Sequence, residues 1–209
     1  MHTQVKICGI KNLNEIEFIN KMDIDYIGFV FAKSRRQIDI NQATILSNTL
    51  RVDIKKVGVF VNHSIAEINS YTEQANLDIV QLHKNYTKDI IAKIKRPVWY
   101  ALSIKDESCV ALANEAYEYN NVIGIVTDSH VKGMEGGTGI TFNWDLLKGI
   151  NTNINLILAG GLNSDNIQDA IRAANPQVLD ISSGVEETLN GVTMKSKDKI
   201  QQLLRKVRV

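Results

Sequence analysis

Asp128 closes the apolar run VIGIVTD. A carboxylate there is placed for general acid or base work, because partial burial raises its pKa into a useful range. Its alternative use is a cap on a following helix or loop, a common role for Asp. Cys8 ends a second apolar run, VKIC, and Gly9 follows it. A thiol is a base only as thiolate, which requires a pKa below the reference of about 8.5. Otherwise it is a small buried hydrophobe. Cys109, inside the helical run 108–119, fits that second description. His83 ends the run IVQLH and has three readings: ligand, acid–base group, or hydrogen-bonded core residue. Nothing in the spacing of the four His residues resembles H-x-x-E-H, so no metal site is expected.

Three glycine-bearing segments lie late in the chain. They are EGGTG at 135–139 with Gly137, Thr138 and Gly139, AGGL with Gly160 and Gly161, and SSG with Ser182, Ser183 and Gly184. Glycine lets backbone amides approach an anion, and a following helix N-terminus adds a favourable dipole. A single glycine pair is more often a plain turn. Arg35 and Arg36, in FAKSRR, offer a planar fork for a carboxylate or phosphate, or else form a solvated basic loop.

These residues need a scaffold. Apolar, β-branched segments recur at 5–8, 26–31, 56–61, 79–83, 98–104, 122–128, 155–160 and 178–182. Amphipathic segments alternate with them. Ile167, Ala170, Ile171 and Ala174 recur at helical spacing, as do Ile200, Leu203, Leu204 and Val207. Ser64 with Glu67 reads as a capping box, and Asn12 with Glu15 as a weaker one. The segment 144–149 is the shortest expected helix. Eight strand–helix units of about 26 residues approach the lower size limit of a (β/α)₈ barrel. A doubly wound open sheet also alternates strands and helices, but more often with fewer strands. The expectation is an α/β chain forming a single (β/α)₈ TIM barrel over 1–209.

Parity sharpens this. Lys6 and Cys8 share one strand parity, as do Gln81 and His83, Val126 and Asp128, and Asp180 and Ser182. Assigning that parity to the interior gathers the reactive groups at the strands' C-terminal ends, where barrel enzymes hold their active sites.

The chain has 209 residues, with 24 Lys plus Arg against 23 Asp plus Glu. That balance argues against nucleic-acid or anionic-membrane binding. There is no 18-residue apolar run. The opening MHTQVKICGI lacks the pattern of a secretory signal, so a cytoplasmic location is expected.

KICGI, GFVF followed by SRR, VGVFVN, VQLH, the Asp128 strand with GGTG and FNW, LAGGLN and DISSGVE stand in this order between Val5 and Glu186. Together they resemble the phosphoribosylanthranilate isomerase family. The resemblance implies a barrel that rearranges N-(5-phosphoribosyl)anthranilate to the aminodeoxyribulose phosphate in tryptophan biosynthesis, with no cofactor or metal. It implies Cys8 as general base and Asp128 as general acid. It further implies Arg36 on the anthranilate carboxylate, Asp180 near the anthranilate amine, and the glycine and serine loops as phosphate cradle. The small-molecule phosphorylated substrate would be the partner of a monomer or homodimer. Two positions depart from the usual family pattern: Lys84 follows QLH where Gly is frequent, and Asn143 precedes Trp144 where Asp is frequent. Two other readings stay open. A synthase-like barrel would use a catalytic Lys on an early strand, and Lys6 lies lower than Cys8. A sugar-phosphate sensor would keep the glycine loops without the catalytic pair.

Overall fold

The β-branched runs form strands whose two faces carry different chemistry. The computed structural model describes residues 3–83, 86–104, 106–128, 144–151 and 153–208. Eight parallel strands close into a barrel: β1 Gln4–Cys8, β2 Tyr26–Val30, β3 Lys55–Val61, β4 Ile79–His83, β5 Val98–Ser103, β6 Val122–Asp128, β7 Leu156–Ala159 and β8 Val178–Ile181. They pair in sequence order, and β8 returns to β1 through the register Lys6↔Asp180. The helices are α1 Leu13–Ile19, α2 Ile40–Thr49, α3 Ile65–Gln74, α4 Lys88–Ile91, α5 Glu107–Tyr117, α6 Ile167–Ala174 and α7 Lys197–Val207. The expected barrel is therefore present, and each strand boundary falls within a residue or so of the segment read from sequence.

Alternation along the strands produces two apolar cores. Val5, Ile7, Ile27, Phe29, Leu82, Leu179 and Ile181 face outward and are buried against the helices. Val57, Ile79, Trp99, Ile157 and Val178 fill the barrel interior, with the Tyr26 ring tilted against Trp99 at 5.0 Å. These side chains pack the interior as in a filled (β/α)₈ barrel.

Local signals explain most helix starts. Asn12 and Ser64 each complete a capping box, with Glu15 and Glu67 respectively. Ile200, Leu203 and Leu204 form the buried stripe of α7. Two details differ from the sequence reading. The segment Trp144–Gly149 is a 3₁₀ helix, and the shortest α-helix is the single turn α4, squeezed between His83 and Val98. After β8 the chain makes a 3₁₀ turn at Ser183–Val185 and then a hairpin, β9 Glu186–Leu189 with β10 Val192–Lys195. Asn190 and Gly191 turn the hairpin with φ of 51° and 78°, the left-handed pair that a two-residue type I′ loop demands. The buried Glu15 carboxylate ties the hairpin to α1 by accepting from Lys195 N at 2.8 Å.

Candidate active site

Three neighbouring or facing strands carry polar groups into the upper interior. Lys6 on β1 is fully buried, and its Nζ donates to Asp180 Oδ2 on β8 at 2.6 Å and to Gln81 Oε1 on β4 at 2.8 Å. Burial opposes the charge of Lys6, but the Asp180 carboxylate and the nearby Cys8 outweigh it and hold the ammonium above its ordinary pKa. Because Gln81 accepts through its oxygen, its amide nitrogen donates to His83 Nε2 at 2.9 Å. A neutral His83 must then carry its proton on Nδ1. Asp180 Oδ1 is buried and has no hydrogen-bond partner. An acceptor left so is costly unless something else supplies a donor.

Cys8 lies two residues above Lys6 on the same parity. Burial pushes its thiol above the ordinary value. Lys6 and, more weakly, Lys195 pull it down, while Asp180 adds to the rise. Ser182 Oγ donates to the Cys8 carbonyl at 3.1 Å, which ties the end of β1 to the loop after β8.

Above these groups opens a cavity of about 190 Å³, lined by Cys8, Arg36, Gln81, His83, Val126, Gly160, Gly161, Asp180, Ser182 and Ser183 among others. Gly160 and Gly161 both have positive φ, 93° and 65°. The loops after β7 and β8 meet closely: a Cβ on Gly184 would stand 1.9 Å from the Leu162 carbonyl oxygen. Only glycine permits that contact. Asp128 ends β6 opposite Ala159 of β7, on the parity of the cavity-lining Val126. Its side chain, and Gly137, Thr138 and Gly139, lie outside the described residues.

Arg36 enters the cavity from the loop after β2, its stem crossing Gly9. The sequence reading left its fork free, but Nε and Nη2 already grip Glu186 at 2.6 and 3.0 Å. The physical reason is the hairpin, which begins at Glu186 and swings this carboxylate under the guanidinium. Arg35 reaches the same carboxylate at 2.7 Å, yet its side chain is 60% exposed against 23% for Arg36. Buried Lys195 completes the cluster at 2.9 Å. Burial would raise the Glu186 carboxyl, but Arg36 and Lys195 overcome it and hold the pKa at about 2.

A family model described as N-(5'phosphoribosyl)anthranilate (PRA) isomerase matches residues 5–206. The chain belongs to the phosphoribosylanthranilate isomerase family. An N-(5'-phosphoribosyl)anthranilate isomerase of Thermoanaerobacter sp. (strain X514) is 45% identical over 184 residues, 88% of this chain and 89% of the relative. Monomers generated from the dimeric phosphoribosylanthranilate isomerase of Thermotoga maritima superpose with a TM-score of 0.83 at 32% identity, covering 99% of this chain and 98% of the other. A phosphoribosylanthranilate isomerase in complex with reduced 1-(o-carboxyphenylamino)-1-deoxyribulose 5-phosphate gives 0.82 at 31% identity, with the same coverage.

The fold brings Cys8, Arg36, His83, Gly160, Gly161, Asp180, Ser182 and Ser183 together around one cavity. Gly184 stands behind it as the spacer between loops. Sequence reasoning missed the ion pairs beneath and beside the site. Lys6 and Gln81 were visible as inward parity, but their union with Asp180 depends on the barrel closing. The Glu186–Lys195 pair had a local signal, the Asn190-Gly191 dipeptide between alternating strands, which marks a hairpin. Among the described residues, no helix is long and apolar enough to cross a membrane.

Proposed function

We propose that this chain converts N-(5'-phosphoribosyl)anthranilate into 1-(o-carboxyphenylamino)-1-deoxyribulose 5-phosphate, an Amadori rearrangement in tryptophan biosynthesis. The observation that carries the reading is the placement on adjacent strands of Cys8 and Asp180, whose Oδ1 has no hydrogen-bond partner, both lining a cavity flanked by the glycine and serine loops. Asp128, across the mouth from β1 with β7 and β8 between, delivers a proton to the furanose ring oxygen. The ring C–O bond breaks and an iminium forms between the sugar and the amine. Cys8 thiolate then removes the C2 proton, and the electron pair moves into an enolamine that tautomerises to the ketone. Asp180 accepts a hydrogen bond from the anthranilate amine. The amides near Gly160, Gly161 and Ser182–Gly184, with the Gly137–Gly139 loop, hold the phosphate, whose binding energy positions the sugar. No cofactor enters these steps. The working form is a cytoplasmic monomer or homodimer, and the dimeric Thermotoga maritima relative supports the latter. Rescue of a tryptophan auxotroph lacking this isomerase, together with turnover by the purified chain, tests the reading. A well-expressed, folded chain that neither rescues nor turns over substrate overturns it.

Two substitutions separate anion binding from packing. Gly161 points a Cβ into open space but holds φ at 65°. Gly161→Ala therefore costs about 1–2 kcal/mol of left-handed strain and should register mainly as a higher KM, because the strained amides are the anion's donors. Gly184→Ala must drive two backbone segments apart and should lower Tm more than Gly161→Ala does. Thermal melts and KM values on both variants check the order.

Arg36 has its Nη1 left for a substrate carboxylate once Nε and Nη2 are on Glu186. A charge-assisted contact from it is worth about 1.5–3 kcal/mol. Arg36→Ala should raise KM roughly tenfold or more, and Arg36→Lys less. Arg35→Ala should change KM little, since its contact is the exposed kind worth about 0–1 kcal/mol. Steady-state kinetics on the three variants decides, and a larger loss at Arg35 would reverse the assignment.

A further inference from the structure

Lys6 is a fully buried charge that the steps above do not use. A barrel interior accommodates an ammonium only at a heavy desolvation cost unless it is well paired. Its pairing is with Asp180 Oδ2 and Gln81 Oε1, and both partners also border the cavity. The third neighbour is Cys8. Gly28 shows how near the two β1 side chains come: a Cβ there would stand 2.7 Å from Cys8 Sγ and 3.2 Å from Lys6 Cε. The sulfur and the last methylene before the ammonium thus occupy the space that a side chain on β2 would take. A single substitution at Gly28 would displace both.

We propose that Lys6 is a positioning residue for the isomerisation: its ammonium is the fixed countercharge that keeps Cys8 available as thiolate, and it holds Asp180 with Oδ1 turned to the cavity. This rests on the reading of Cys8 as the base. Desolvation works against a thiolate at this depth, so a nearby positive charge is required for the thiol to serve near neutral pH. Among the described residues, the charged and titratable groups around Cys8 are Lys6 on its own strand, Asp180 on β8, Lys195 on β10, Arg36 from the β2 loop with its partner Glu186, and His83 on β4. Lys195 is already committed to Glu186 and to the Ser182 carbonyl, at 2.9 and 3.1 Å. Among the described residues, Lys6 is the cation that shares the β1 face with the sulfur and hydrogen-bonds below it. Its bond to Asp180 divides its influence, which makes the carboxylate a brake on the same effect.

The test reads the thiol directly. In a Cys109→Ser background, iodoacetamide alkylates Cys8, forming an S–C bond from the thiolate and releasing iodide. The rate against pH gives the midpoint at which the thiolate appears. Lys6→Met should move that midpoint up by about 1–3 pH units, the range for loss of a close opposite charge. Turnover lost at neutral pH should return as pH rises, because alkali supplies the thiolate that Lys6 no longer favours. Lys6→Arg, keeping the charge, should recover much of the wild-type midpoint. Asp180→Asn should move it down, since Lys6 is then opposed by no carboxylate. An unchanged midpoint in Lys6→Met, or in Asp180→Asn where Lys6→Met does not fold, overturns the proposal. The alkylation profile needs no substrate. A shifted midpoint in a chain without isomerase activity would therefore refute the functional reading and leave the coupling standing. An unshifted one in an active isomerase would do the reverse.

Discussion

Cys8→Ala and Asp128→Asn should each lower kcat by on the order of 10²-fold or more while KM changes little. Both groups act on protons that move only in the reaction, so substrate binding has little stake in them. The two losses should differ in their pH behaviour. Burial holds the Cys8 thiol above its ordinary pKa, so the proton-accepting form is scarce at low pH and grows as pH rises. The wild-type rate should climb with pH on that limb, and the limb should vanish in Cys8→Ala, where no thiol titrates. In Asp128→Asn it should remain, because the base is intact and only the acid is gone. Steady-state kinetics over a pH series separates the two roles. Near wild-type kcat in both variants would remove the pair from the mechanism, and a rising limb that survived in Cys8→Ala would assign it to another group.

The barrel was legible because its rules are local. Each strand repeats an apolar alternation, and Lys6, Cys8, Gln81 and Asp180 break it at positions of one parity. Once the sheet closes, that parity can only be the interior. Closure also explains why Cys8, His83 and Asp180 converge although they are far apart in sequence: the C-terminal ends of all strands share one rim. What parity cannot state is which inward side chains touch. Lys6 meets Asp180 because β8 pairs with β1 in a register that sets those two residues opposite. That register follows from the barrel's stagger, and no short segment encodes it.

The hairpin illustrates a different gap. Asn190-Gly191 is a strong local turn signal, and Glu186 through Lys195 alternates around it. The hairpin lies outside the repeat of eight strand–helix units, so the repeating pattern does not announce it. The consequence fell on Arg36. Read without a partner, its fork was free for substrate. With Glu186 delivered by the hairpin, two of its nitrogens, Nε and Nη2, are engaged. The site is thus assembled partly by an element outside the repeating pattern.

That element makes Glu186→Gln the substitution expected to damage the fold most. The Glu186 carboxylate is buried and joins Lys195, which is buried as well, to Arg36 and Arg35. Removing its charge strands the Lys195 ammonium away from water, and breaking a buried pair this way costs about 3–5 kcal/mol. For a chain of this size that corresponds to a fall in Tm of roughly 6–20 °C. The freed Arg36 should also lose its fixed direction, so KM should rise with kcat less affected. Acid sensitivity provides a second reading. Glu186 titrates at about 2 in the folded chain, below its ordinary 4.5. A carboxyl depressed on folding contributes stability that is complete above the unfolded value and disappears as pH falls through the folded one. The wild type should therefore lose part of its stability between about pH 4.5 and 2 through this group, and Glu186→Gln should show a shallower decline across the same window. Adding Lys195→Met to Glu186→Gln should restore much of the loss, because the stranded charge is then absent. Thermal melts of wild type, both single variants and the double variant, at pH 7 and across the acid range, complete the cycle. Additive losses in the double variant would show that the two side chains are not an energetic pair.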